Sequence, residues 1–437
     1  PEAATGPLAM ADVDGDGALD LFIGGRSVAG RYPEPATSIL FRNEASRFVP
    51  LQEFKNAGLV SGAVFSDLDM DGDADLILAC HYGPVRVFRN ERGRFTEATA
   101  ELGLADLKGL WNGVATGDLD GDGRPDLIAS NWGLNTPWRA SRDVPLKVYY
   151  GDFDENGVFD VIEAQFDADL KKEVPLRILK SVGPAMPYVQ EKMRSFAAYG
   201  SASVTEIFGE KIATAPVLTV NTLSSMVFFN RGGKFEAKPL PIEAQFAPAF
   251  GVVVADFDGD ANDDVLLSQN FFQGNIETPR ADAGRGLILK GDGRGNLAPV
   301  PGQVSGVKVY GEQRGCAASD FNQDGRVHLA ISQNGAATKL YLNRSARPGT
   351  RFLVQGTAAN PAGIGTTLRL EGERGTLTRE IQSGSGYWSV NSPVAVMAGG
   401  GELTARLPNG REAKAAIPPE AREVRITANG EVQIVKQ

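Results

Sequence analysis

Six short acidic stretches set the limits on what this chain can become. They are DVDGDGALD at 12–20, DLDMDGDAD at 67–75, DLDGDGRPD at 118–126, DFDENGVFD at 152–160, DFDGDANDD at 256–264 and DFNQDGRVH at 320–328. Carboxylates packed this densely repel one another, so such a stretch holds one shape only when positive charge enters it. Each copy follows a short apolar run such as GVVVA or KVYYG and precedes another such as LFIGG, LILAC or VLLSQ. Those flanks are too short for helices and rich in β-branched residues, which places every acidic stretch at the tip of a β-hairpin. A second piece recurs after most of them: ILFRNEASRFVP, VRVFRNERGRFTEAT, MVFFNRGGKFEAKPL and LILKGDGRGNLAPV each read as strand, Asn/Gly turn, strand. Two hairpins make a four-stranded sheet, and serial sheets of this kind arranged around an axis make a β-propeller.

The expected fold is therefore all-β, a propeller of six to seven blades over 1–348, followed by a small β-domain over 349–437. The loop starts at 12, 67, 118, 152, 256 and 320 are unevenly spaced. The longest gap holds a segment of helical periodicity around 187–209, with Ser and Thr suited to caps, which predicts a helical insertion over about 167–212. Beyond 350 the acidic loops stop, and RFLVQG, TTLRLEG, ELTARLP and EVRITANGEVQIVK read as short alternating strands.

Positions 1, 3, 5 and 9 of the loops carry the candidate metal ligands. They are Asp12, Asp14, Asp16 and Asp20; Asp67, Asp69, Asp71 and Asp75; Asp118, Asp120, Asp122 and Asp126; Asp152, Asp154, Asn156 and Asp160; and Asp256, Asp258, Asp260 and Asp264. The last loop offers Asp320, Asn322 and Asp324 but has His328 at position 9. Alternate side chains of a tight turn point inward, a glycine at position 6 permits the reversal, and a carbonyl at position 7 adds an oxygen. An all-oxygen shell without His or Cys suits a hard, large cation, so the expected ion is Ca²⁺ at five loops, with the sixth weak or empty. An EF-hand begins the same way but needs a Glu at position 12 on an exiting helix. Here that position is Ile23, Leu78, Ala129, Glu163, Leu267 and Ile331, and every exit reads as a strand.

Charge agrees with this reading. Five such ions would carry about ten positive charges, against a formal net charge of −10. That acidity, with no basic cluster, excludes nucleic-acid partners, and no apolar run is long enough to insert into a membrane. Calcium modules outside cells bind at about 10⁻⁴–10⁻³ M, so filling these loops predicts an extracellular, cell-surface or periplasmic setting. Pro1 opens almost directly into the first repeat, which predicts that a secretion signal ahead of it has been removed. The two cysteines, Cys80 and Cys316, read as buried free thiols rather than a bridge. His81, beside Cys80, has no ligand partners nearby in sequence, and His328 reads as an outward strand residue.

No nucleophile elbow, HExxH, Cys–His pairing or haem motif is present, so no catalytic residue is assigned. GDGRGN at 291–296 reads as a hairpin turn rather than a phosphate loop, because no helix follows. Trp132 and Trp138 in NWGLNTPW (131–138), and Phe271 and Phe272 in QNFFQGN (269–275), either stack on sugars or peptides or fill gaps between blades. The expected function is non-catalytic adhesion, ligand binding or surface assembly with a protein or glycan ligand or partner subunits. The alternative is a calcium-dependent polysaccharide lyase or hydrolase on the same scaffold.

The unit FGVVVADFDGDANDDVLLS resembles the FG-GAP/VCBS repeat of integrin α-subunit propellers and bacterial secreted proteins, and the resemblance covers about 1–345. The tail NPAGIGTTLRLEGERGTLTREIQSGSGYWSVNSP (360–393) resembles the ASPIC/UnbV domain, and the pairing is similar to the cartilage-acidic-protein-like family. The resemblance implies an extracellular calcium-binding propeller with an accessory β-domain, its metal positions falling on the aspartates already named. The sequence departs from the pattern at Ala261, in the sixth loop, and at VAVMAGGG (394–401), where a His-Phe-Gly-Leu-Gly-like run is expected.

Overall fold

The computed structural model describes residues 3–45, 47–272, 274, 279–384 and 386–435. Among the described residues it is all-β apart from one helical segment, a 3₁₀ turn at Ile242–Gln245 and a single helical turn at Gly302–Ser305. The six acidic loops sit on six separate antiparallel sheets, each loop joining the first two consecutive strands of its hairpin. Sheet I comprises Ala3–Ala11, Asp20–Val28, Ser38–Glu44 and Arg47–Phe54; sheet II begins with Leu59–Ser66 and Asp75–Gly83. Sheet IV begins with Ala249–Ala255 and Asp264–Gln269, and sheet V consists of Glu312–Ser319, His328–Asn334 and Ala336–Tyr341.

Sheet III is split. Asp126–Ala129 pairs not with the next strand in the chain but with Met226–Asn230, and the fourth acidic loop lies in a sheet inserted between them. In that inserted sheet Leu146–Gly151 pairs with Asp160–Asp167 on one side and Val217–Val220 on the other. The helical segment closes it, as five short helices between Leu179 and Thr214 rather than one long one. Pro184, Pro187, Ser195 and Gly209 interrupt the periodicity. Ser203 and Glu206 form a reciprocal capping box that starts the fourth helix.

The first strands of sheets I to V lie against one another in series around an axis. Separate apolar clusters fill each junction: Phe22, Leu40 and Phe65 between I and II, Val64, Trp111 and Phe228 between II and III. Ile128, Val252 and Leu267 join III to IV, and Leu266, Cys316 and Ile331 join IV to V. Each sheet alternates its side chains between two junctions, so strands buried on both faces read as unbroken apolar runs. Among the described residues no such cluster joins V to I, and Leu8 and Leu340 on those outer faces are 57% and 60% exposed.

Two sheets built from Thr350–Gln355, Thr367–Gly372, Gly401–Arg406, Glu423–Thr427 and their neighbours enclose a separate core of Phe352, Leu368, Leu370, Met397, Leu403 and Val424. From this sandwich residues 382–384 and 386–392 reach the first strands of the propeller sheets. Met10 N–H donates to Ser383 O at 2.9 Å, Gly386 N–H to Val114 O at 2.8 Å and Ser392 N–H to Ala318 O at 2.9 Å. These residues thus touch the first strands of sheets I, III and V. Gly386 sits at φ +70°, and a Cβ there would lie 2.7 Å from Val252 O, so only glycine fits this crossing. Ser385 of the SGSGY signature lies outside the described residues.

Candidate metal centres

All six loops close by the same backbone bonds. One oxygen of the first Asp accepts the N–H of residue 6, from Asp12 and Gly17 through to Asp320 and Gly325, at 2.8–3.0 Å. An oxygen of the fifth residue accepts the N–H of residue 7 at 2.8–3.0 Å. Residue 6 has positive φ in every loop, including Ala261 at +73°, which carries strain the five glycines avoid. The turn therefore aims side-chain oxygens inward and draws them together. Oxygens of Asp67, Asp69 and Asp71 lie within 4.8 Å of one another, as do those of Asp118, Asp120 and Asp122. The same holds for Asp12, Asp14 and Asp20, and for Asp152, Asp154 and Asp160.

Position 9 has a second task that sequence reasoning missed. Asp126 Oδ2 accepts Leu119 N–H at 3.0 Å, and its Oδ1 accepts Asn230 N–H at 2.8 Å. Asp20 does the same with Val13 and Asn43, and Asp264 with Phe257 and Gly291. The carboxylate clamps the acidic hairpin to the third strand of its own sheet. The Asn that receives this clamp then reaches the preceding sheet. Asn90 Nδ2 donates to Val13 O at 2.9 Å, Asn230 Nδ2 to Leu68 O at 2.8 Å and Asn343 Nδ2 to Phe257 O at 2.7 Å. The signal was present in the repeated FRNE, FFNR and YLNR, where one Asn recurs at the end of the third strand.

Electrostatics marks what the loops lack. Desolvation by burial pushes the Asp12 and Asp67 carboxyls up to about 6, Asp126 to about 7, and Asp75 and Asp264 to about 8. Neighbouring aspartates add to the rise, and backbone N–H donors counter part of it. Four inward oxygens, Asp67 Oδ1, Asp118 Oδ1, Asp120 Oδ1 and Asp258 Oδ1, are buried with no hydrogen-bond partner. Leaving a buried acceptor unmade costs about 1–3 kcal/mol, more for a charged group. A divalent cation with an oxygen shell satisfies such atoms, and these donor sets fit Ca²⁺.

Basic side chains from the third strands flank the loops. Arg89 pairs with Asp69, Arg231 with Asp120, and Lys290 with Asp258 and, at 2.9 Å, with Asp260. The C-terminal domain covers the same end of the propeller. Arg406 donates to Met70 O at 3.1 Å and Asp71 O at 2.8 Å, and Arg379 pairs with the buried Asp263 at 2.5 Å. Glu380, pushed up to about 7 by burial, accepts from Ser66 Oγ at 2.5 Å and Gln382 Nε2 at 2.9 Å. A cavity of about 300 Å³ between the two domains is lined by Asp67, Asp118, Asp320, Arg379, Glu380 and Arg406.

Trp132 and Trp138 stack on each other at 5.0 Å, with Phe271 5.2 Å from Trp132, and the pair packs against Leu110, Leu146, Val220 and Leu223. They fill the junction with the inserted sheet. Phe272 lies under Arg280 at 5.0 Å; Gln273 and Asn275 of the same motif lie outside the described residues. Cys80 and Cys316 are free and buried. His81 is half-buried, its Nε2 2.8 Å from Asn112 Oδ1, and desolvation of the ring lowers it to about 3. His328 is not an outward residue. It is 1% exposed and turns into the sixth loop, because the loop needs an acceptor at position 9. GDGRGN turns between Leu287–Gly291 and Leu297–Val300, a hairpin as expected.

Residues 67–129 match the model of the FG-GAP-like repeat. Over 306 residues the chain is 22% identical to cartilage acidic protein 1 of Xenopus tropicalis, covering 67% of this chain and 42% of that protein. The chain thus spans less than half the length of that relative. Among solved structures it is similar to the exotype rhamnogalacturonan lyase YesX, with a TM-score of 0.32 and 13% identity over 97% of this chain and 73% of that one. It is also similar to BBS1N in complex with ARL6DN, with a TM-score of 0.30 and 10% identity over 96% and 94% of the two chains. At that level of overlap neither bears on function. No helix of the described residues is long and apolar enough to cross a membrane.

Proposed function

We propose that this chain is an extracellular calcium-binding propeller module, with Ca²⁺ in five hairpin loops holding the sheets in register. Its role is non-catalytic: adhesion, ligand binding or surface assembly. The observation that carries the reading is the set of buried, unpartnered oxygens on Asp67, Asp118, Asp120 and Asp258. They stand in repeated turns that differ in surrounding sequence but share one inward geometry. The ions would sit at positions 1, 3 and 5, with position 9 shared between ion and hairpin clamp. Bound ions supply positive charge and stabilise the native state by selective binding. The paired carboxylates of the loops are taken up by the proposed ions and the hairpin clamps, and the cavity-lining Glu380 is held by Ser66 and Gln382, which supports a binding role over a catalytic one.

Equilibrium dialysis against millimolar calcium tests the metal reading, with uptake of about five ions per chain expected; uptake of none overturns it. A protein and glycan array probed with and without calcium tests the binding role. Calcium-dependent capture of a surface ligand is expected. New unsaturated or reducing ends on incubation with polysaccharides would instead favour a lyase or hydrolase.

A further inference from the structure

The sixth loop keeps the turn and changes what fills it. Both oxygens of Asp320 accept backbone N–H groups, Oδ1 from Asp324 and Oδ2 from Gly325, each at 3.0 Å. At position 9, His328 Nδ1 accepts Asn343 N–H at 2.9 Å, the bond that Asp126 makes to Asn230 in the third loop. A ring nitrogen that accepts a backbone N–H uses its lone pair there, so the neutral imidazole carries its proton on Nε2. Nε2 then donates to Asn322 Oδ1, 2.6 Å away. The imidazole therefore offers no lone pair to an ion, and the Asn oxygen is already taken. Although Asp320, Asp324 and His328 lie close enough to hold a metal, their hydrogen bonding does not fit one.

Positive charge arrives from elsewhere. Arg351, on the first strand of the C-terminal domain and 8% exposed, places Nε 2.9 Å from Asp320 Oδ2 and pairs at its other end with Glu423. Arg326 lies 3.3 Å from Asp324 and donates to Ala346 O at 2.8 Å. Gly349 N–H donates to Gly325 O at 2.7 Å, so backbone and side chains meet at one corner. The two carboxylates of this loop face two guanidiniums. None of their oxygens is among the buried unpartnered atoms, as in the first and fourth loops and in contrast to the second, third and fifth; Arg351 Nε meets Asp320 as an ion pair without an aligned hydrogen bond.

We propose that in the sixth loop protein cations have replaced the metal, so that Arg351 and His328 form an ion-independent fastener between sheet V and the C-terminal domain. The contrast rests on the calcium reading of the other five loops; the fastener itself rests on the contacts just given. Arg351 is a positioning residue, and what it positions is a whole domain.

The test uses the full chain, its Arg351→Met variant, and a triple variant Asn322→Asp, His328→Asp, Arg351→Met, which rebuilds the ligand pattern of the third loop. In equilibrium dialysis with calcium chloride, the wild type and Arg351→Met take up the same number of ions, and the triple variant takes up one more. A triple variant that binds as many ions as the wild type overturns the replacement. Hydrogen exchange in EDTA supplies the second readout. Residues 320–328 of the wild type exchange equally slowly with and without calcium, and Arg351→Met speeds them about tenfold or more in both conditions. Protection of 320–328 that depends on calcium, or is unchanged by Arg351→Met, contradicts the fastener. If no variant binds calcium, the metal reading falls and the fastener is judged by exchange alone.

Discussion

The third and sixth acidic loops share one backbone turn and differ in what satisfies it. In the third, Asp118 and Asp120 each keep a buried oxygen without a partner, and Asp126 is pushed up to about 7 by burial. In the sixth, an imidazole replaces the clamp carboxylate and a guanidinium from another domain meets the first Asp. The same turn thus stands with buried oxygens unpartnered in one place and with a tethered guanidinium against it in the other. A free ion stabilises with the logarithm of its concentration, whereas a tethered one stabilises wherever its own domain is folded. On the proposed reading the acidic repeat would carry two kinds of joint, one that answers to calcium and one that does not.

Chelation separates the two kinds most strongly. Five sites of about 1 mM affinity in about 10 mM calcium contribute about 7 kcal/mol together. EDTA should therefore lower the Tm by about 8 °C, read by scanning calorimetry, while the sixth-loop corner stays protected. Next in size is Asp126→Ala, which removes two buried bonds to Leu119 and Asn230. It should cost about 2–4 kcal/mol in EDTA as well as in calcium, by denaturant titration. Asp122→Asn should cost stability only in calcium, which sharpens the division between clamp and ligand.

Acidity gives a smaller effect of definite sign. Asp12, Asp67, Asp75, Asp126 and Asp264 have folded values near 6 to 8, above the unfolded 3.8. The ion-free fold therefore binds more protons than the unfolded chain between about pH 4 and 8, and it loses stability as pH rises through that window. Calcium removes the penalty, so the gap between Tm in calcium and in EDTA should widen from pH 5 to pH 8. A gap that narrows over that range would contradict the burial of these carboxylates beside an ion. Smallest of all, Ala261→Gly should stabilise by about 0.5–1 kcal/mol, because it relieves a positive φ.

Much of this was legible from residues alone. The hairpin tips, the sheet that follows each and the change of character after 350 come from alternation and turn chemistry, which are local signals. The nesting of the fourth loop was not legible, because the pairing of Ile128 with Val227 links residues far apart in the chain. The helical segment was visible, but its division into five pieces depended on prolines and caps. Residues 386–392 gave no hint of their contacts with sheets III and V, since a segment without periodicity is placed only by its neighbours. His328 shows the same limit. Its chemistry in isolation suggests an outward strand position, and only Asn343 and Asn322 on either side of the ring reveal its role.

If diffusible divalent ions complete five of these turns and protein groups the sixth, a high-resolution crystal structure grown in ample calcium should show it. Six- or seven-coordinate density is expected between the first, third and fifth side chains of loops 1 to 5, with Arg351 against Asp320 and no ion in the last. Water alone beside Asp67 and Asp118, or an ion bound between Asp320 and His328, would contradict it.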